Sequence, residues 1–142
     1  MTAAQPEPAR SGNEFATMRV PVARTAVAPD GSDVRVLLGL TGGGMAHFEL
    51  APGHASTAVT HRSVEEIWLF LSGRGEMWRR LGDREEIVPV EPGVCLTIPL
   101  GTRFQFRSFG YEALGAVGVT MPPWPGEGEA TVVSGAWTPT VP

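Results

Sequence analysis

Residues 53–73 read GHASTAVTHRSVEEIWLFLSG and residues 93–108 read GVCLTIPLGTRFQFRS. Each is a set of short apolar runs closed off by glycine. In Glu66-Ile67-Trp68-Leu69-Phe70-Leu71 side chains alternate across the pleat, so Glu66, Trp68 and Phe70 share one face and Ile67, Leu69 and Leu71 the other. Both faces are largely apolar. The strand is therefore expected to be covered twice, by a barrel interior on one side and by a packed sheet or a two-fold partner on the other. In Arg103-Phe104-Gln105-Phe106-Arg107-Ser108 the alternation is cleaner, with Phe104 and Phe106 inward and the arginines outward.

The same rhythm runs outward in both directions. Apolar segments fall at 15–22, 34–40, 45–50, 56–61, 66–71, 75–81, 86–90, 94–98, 102–108 and 113–121, which predicts about ten short strands. Between them stand turn signals such as Pro29-Asp30-Gly31, Thr41-Gly42-Gly43-Gly44, Pro52-Gly53, Ser72-Gly73, Gly82-Asp83 and Pro92-Gly93. Turns spaced by roughly ten residues are the mark of a sandwich or a closed barrel. The 18 glycines and 13 prolines disfavour long helices, and only 127–131 suggests even a short helical turn. Three parts are expected: a polar arm over 1–13, the β-domain over 14–121, and an irregular strap over 122–142. The strap holds five of the prolines together with Trp124 and Trp137.

A chain of 142 residues can bury the core of one domain. Fifteen acidic residues against 11 basic ones give a formal charge of −4, which offers no attraction for nucleic acid or an anionic membrane. No run approaches the roughly 20 apolar residues of a membrane span, and residues 1–12 lack the apolar stretch of a signal peptide. With Cys95 as the lone cysteine, no intrachain disulfide can form, and a cytoplasmic protein is expected. Cys95 itself reads as a small buried apolar residue.

The two quoted stretches resemble the paired motifs of the cupin superfamily. Its first motif, G, five residues, H-x-H, three or four residues, E, six residues, G, falls here on Gly53, Val59, Thr60, His61, Glu66 and Gly73. Its second, G, five residues, P-x-G, two residues, H, three residues, N, falls on Gly93, Pro99, Gly101, Phe104 and Ser108. The resemblance spans about 53–108 and implies an all-β fold, the double-stranded β-helix or jelly-roll cupin barrel. It also implies a cavity in the barrel mouth and a divalent metal held by three histidines and a glutamate. Here those four positions are Val59, His61, Glu66 and Phe104, so two ligands are replaced by hydrocarbon. Two protein ligands alone would hold a metal weakly, and no cofactor is expected. His54, seven residues before His61, would serve as a third ligand only if a bulge turned it inward. His47 matches neither motif.

His61 and Glu66 are thus the candidate catalytic pair, a general acid and base in apolar surroundings; the alternative is a structural pair that performs no chemistry. Glu65, one residue off, should point outward. Val59, Trp68, Phe70, Phe104 and Phe106 are the candidate substrate-binding wall. Trp78 and Arg80 join them if their face of 77–80 is the inward one; otherwise Met77 and Arg79 face inward, and either way an arginine comes too and needs a carboxylate. The run Asp83-Arg84-Glu85-Glu86 reads as a solvated turn. These residues predict a small cupin barrel that binds a largely apolar or aromatic molecule, as a metal-independent isomerase, epimerase or cyclase. The alternatives are a non-catalytic binding module or a weakly metal-dependent dioxygenase or lyase. A homodimer is expected from the doubly apolar strand and the N-terminal arm.

Overall fold

The alternation along 65–72 and 103–108 is realised as two facing antiparallel sheets. The computed structural model describes residues 14–142, so the expected arm over 1–13 lies outside the described residues. In chain order the strands are β1 (Ala26–Val27), β2 (Asp33–Leu40), β3 (Gly43–Leu50), β4 (Val59–His61), β5 (Glu65–Ser72) and β6 (Gly75–Leu81). They continue as β7 (Arg84–Val90), β8 (Cys95–Ile98), β9 (Arg103–Ser108), β10 (Leu114–Met121) and β11 (Ala130–Val132). One sheet runs β1-β2-β3-β10-β5-β8 and the other β11-β4-β9-β6-β7. The described residues contain no helix, so none crosses a membrane as one. This is an all-β jelly roll, as the motif spacing implies.

The core lies between the sheets, built from Trp68 and Phe70 of β5, Met77 of β6, Leu96 and Ile98 of β8, Phe104 and Phe106 of β9, with Leu50, Val59, Val90, Leu114 and Ala116. Glu66, Trp68 and Phe70 point inward as the pleat requires, and Glu65 is exposed. The motif glycines have a backbone reason to be glycine. Gly53, Gly73, Gly93 and Gly101 all adopt positive φ, where a side chain is strained, and at Gly73 a Cβ would also run into the Ala113 carbonyl.

Several expectations are corrected. Residues 15–22 form no strand, because nothing in the two sheets pairs with them. The segment expected over 56–61 is a strand only from Val59; residues 56–58 belong to no strand and follow a single bridge from Ala55 to Arg107. The tail is not wholly irregular: a turn at Glu127 and Gly128, where a helical turn was expected, leads into β11, which pairs with β4. Cys95 is exposed rather than buried, since β8 turns Leu96 and Ile98 inward and its alternate residues outward. The outer face of β5 is open in the single chain, with Ile67, Leu69 and Leu71 exposed by 49%, 37% and 51%.

Candidate functional site

A cavity opens between the sheets where β4 and β9 face β2, β3, β10 and β5, with residues 28–30 and Trp124 of the tail completing the lining. Its lining includes Asp30, Phe48, Val59, His61, Glu66, Trp68, Phe104, Thr120 and Trp124. Its unfilled space totals about 540 Å³ counting the open mouth, within the range of small-molecule sites.

His61 and Glu66 meet here. They lie at the end of β4 and the start of β5, and the tail holds the turn between them. Glu129, itself buried, accepts through Oε1 from the Ser63 N–H (2.6 Å) and the Val64 N–H (2.9 Å), and the Ser63 hydroxyl donates to both of its oxygens (2.9 Å). Its own carbonyl accepts from the Arg62 N–H, and Ala130 stands opposite His61 in the β4–β11 register. Charge-assisted bonds of this kind are the stronger class, so residues 62–64 are clamped.

Within the cavity His61 Nδ1 stands 3.1 Å from Glu66 Oε2, with both side chains almost wholly out of water. The two atoms are close but not aligned: neither has a hydrogen-bond partner of acceptable geometry, and Trp124 Nε1 is likewise buried without one. The contact is a close approach without a formed hydrogen bond. Glu66 is steadied through its other oxygen, which accepts from the Trp68 indole N–H at 3.2 Å. His61 is held edge-on between Phe104 and Trp124, with centroids at 5.4 and 5.0 Å. Trp68 in turn stacks on Phe48 at 4.7 Å, nearly parallel. Gly118 of β10 makes that stack feasible, since a Cβ there would lie 2.8 Å from Trp68 Cδ1 and 2.9 Å from Phe48 Cε2.

Of the residues expected from sequence, Val59, His61, Glu66, Trp68 and Phe104 line the cavity. Phe70 and Phe106 do not; they back Trp68 from the core, at 6.0 and 5.3 Å between rings. Trp78 and Arg80 belong to the outward face. Trp78 donates its N–H to Glu85, and Arg80 is exposed with its Nε on the Gly82 carbonyl. The inward pair is Met77 and Arg79, and Arg79 does meet a carboxylate, Glu86, together with the Thr97 carbonyl. The run 83–86 is exposed, but only Asp83 lies in the turn: 84–86 open β7, and there Glu85 and Glu86 each hold one of these partners.

Three contributors are not evident in the sequence. Asp30, in the turn Pro29-Asp30-Gly31, is buried and lines the cavity, with the Ser32 N–H and hydroxyl both donating to Oδ1. An aspartate that bonds two residues ahead is a common turn device, so its spacing signals a turn and hides its burial. Burial raises its carboxyl above the usual range, against the Ser32 bonds, and the nearby Glu66 adds to the rise. The other two are Trp124 and Glu129, which the tail delivers by wrapping back, and no local pattern announces that.

The donor set does not fit the metal that this architecture often carries. Val59 and Phe104 present only hydrocarbon at two of the four positions. His54 lies outside the cavity lining and faces Thr140 Oγ1 at 3.2 Å. His47 sits on β3 beside Arg35, and burial followed by that charge pulls it below the ordinary histidine range. Among the described residues no three histidine, cysteine, aspartate or glutamate side chains come together as a metal-holding group.

No protein-family model matches the chain, and no curated protein does. Solved structures do. A conserved protein with a double-stranded β-helix domain from Klebsiella pneumoniae aligns at 16% identity over 86% of this chain and 100% of its own, TM-score 0.66. A protein from Bacillus halodurans aligns at 19% identity over 73% and 79%, TM-score 0.60. Bacillus subtilis oxalate decarboxylase, an enzyme with Mn(II) centres, aligns at 14% identity over 75% of this chain and 29% of its own, TM-score 0.63. Such identities speak for architecture alone, and the architecture this chain adopts is the double-stranded β-helix.

Proposed function

We propose that this protein binds a small, largely apolar molecule in the barrel cavity and moves a proton on it, as an isomerase, epimerase or cyclase, with His61 and Glu66 as acid and base. The observation that carries the reading is the close, misaligned His61–Glu66 contact in an apolar cavity. A pair held near each other without a formed bond is free to redirect toward a substrate. Glu66 takes a proton from a C–H made acidic by a neighbouring carbonyl or imine, and the His61 imidazolium returns one elsewhere on the same molecule. The net reaction neither adds nor removes atoms, and the step needs no protein-held metal. The chain has no lysine, its 11 basic residues all being arginine, so Schiff-base catalysis through lysine is outside its means.

The near-complete burial of both reacting atoms also supports a second reading, a non-catalytic module in which the pair orients a captured ligand. Solvent deuterium incorporation into a panel of small carbonyl compounds, read by NMR, separates the two. Exchange abolished by Glu66→Gln while binding persists supports the enzyme. Binding without exchange in the wild type supports the module, and neither binding nor exchange refutes both.

We also propose that two copies meet across the outer face of the six-stranded sheet. Ile67 and Leu69 there stand in register with Val119 and Val117 of β10, and Met45 of β3 continues the stripe beyond Val119. A self-complementary apolar stripe suits a two-fold pairing. An exposed lone thiol, Cys95, agrees with a reducing, cytoplasmic setting.

A further inference from the structure

We propose that the cavity takes a small organic cation, an ammonium compound with an apolar body, with Asp30 and Glu66 as its counter-ions. The inference rests on the reading of the cavity as a small-molecule site and gives that molecule a charge. Two carboxyl groups line the cavity, each nine-tenths or more buried, and no arginine lines it with them. Arg35 of β2, whose neighbours Val34 and Val36 do line the cavity, turns away and donates to the Pro21 and Val22 carbonyls. The one basic group present is His61, a single imidazole against two carboxyls. Buried carboxylates are ordinarily paired; here the protein supplies Asp30 with nothing but Ser32.

The walls point the same way. Phe48, Trp68, Phe104 and Trp124 line the cavity together with the carboxyls, and aromatic faces attract alkylammonium groups. The same charge balance turns away carboxylate ligands, which would meet two acids and no arginine. Oxalate, the substrate named for one structural neighbour, is therefore the wrong class for this cavity.

Calorimetric titration of the full chain with isobutylammonium, isobutanol and isobutyrate tests the charge with body shape nearly constant. We expect the ammonium to bind about tenfold or more tighter than the alcohol, and isobutyrate to give no measurable heat. Asp30→Asn should bring ammonium affinity down to that of the alcohol, with an unchanged circular-dichroism spectrum certifying the variant as folded; Glu66→Gln provides a second removal of charge. Alcohol binding as tight as ammonium, or isobutyrate binding best, overturns the cation and leaves the small-molecule site standing. No heat from any probe at millimolar concentration overturns the site reading as well.

Discussion

Arg79 and Asp30 are both ionic groups turned toward the barrel interior, and the protein treats them in opposite ways. Arg79 has a carboxylate at 2.6 Å and a carbonyl at 2.7 Å; Asp30 has a serine and a cavity. The charge of the first is met inside the protein, although its buried Nε is left without a partner. The second leaves a charge to be suppressed or neutralised from outside, which is how binding sites differ from structural ion pairs.

Several measurements would break or sharpen that contrast. Trp68 bridges the core and the cavity, so Trp68→Ala should have the largest effect, about 3–5 kcal/mol of stability by denaturant titration; a loss under 1 kcal/mol would mean the aromatic wall is not part of the core. Glu129→Ala removes the clamp on residues 62–64 and should cost about 2–3 kcal/mol. In the same variant, weakened probe binding would mark the clamp as positioning His61 and Glu66. Arg79→Met should cost only about 1 kcal/mol and leave ligand binding untouched. Altered binding would place Arg79 in the site and dissolve the contrast.

Asp30→Asn should go the other way and raise the melting temperature near neutral pH. The sign follows from the raised carboxyl. The unfolded chain loses this proton near 3.8 while the folded chain retains it to higher pH, so stability falls as pH rises through that window. Below it both states are protonated and the gain should vanish. A variant equally stabilised at pH about 3.5 and 7.5, or destabilised at both, would remove the strained carboxyl from the account. The smallest expected effect is that of divalent metals. Zinc, manganese, iron or nickel should not shift the melting curve at micromolar concentration, and a stoichiometric shift would mean that His61 and Glu66 recruit ligands by rearranging.

The barrel was legible because its signals are local. Alternation along 66–71 and 103–108 and the turn glycines at 53, 73, 93 and 101 each act within a few residues. Together they place the inward face correctly, with His61, Glu66, Val59, Trp68 and Phe104 on one cavity. What failed was whatever depends on a distant segment. The face of 77–80 was ambiguous because either register offers one large apolar residue and one arginine, and only the Glu86 carboxylate and the Thr97 carbonyl beside Arg79 decide it. Phe70 and Phe106 are inward, as read, but depth along the barrel separates wall from core, and period-two alternation carries no depth. Asp30 looked like an ordinary turn residue, and Trp124 and Glu129 are placed by a tail whose course no local pattern gives.

That tail is bound at many points. Gln105 donates to the Ser56 and Trp137 carbonyls and accepts from the Trp137 N–H, Trp137 covers Arg107 at 4.3 Å, and Val141 fills the space over Gly31. During synthesis, then, ten of the eleven strands leave the ribosome with the cavity still missing a wall. The aromatic lining and both buried acids stay wet until residues 124–141 emerge and fold back. If the cavity binds as proposed, capture waits for the tail, and a nascent barrel stalled short of Trp124 would be a shell without that wall.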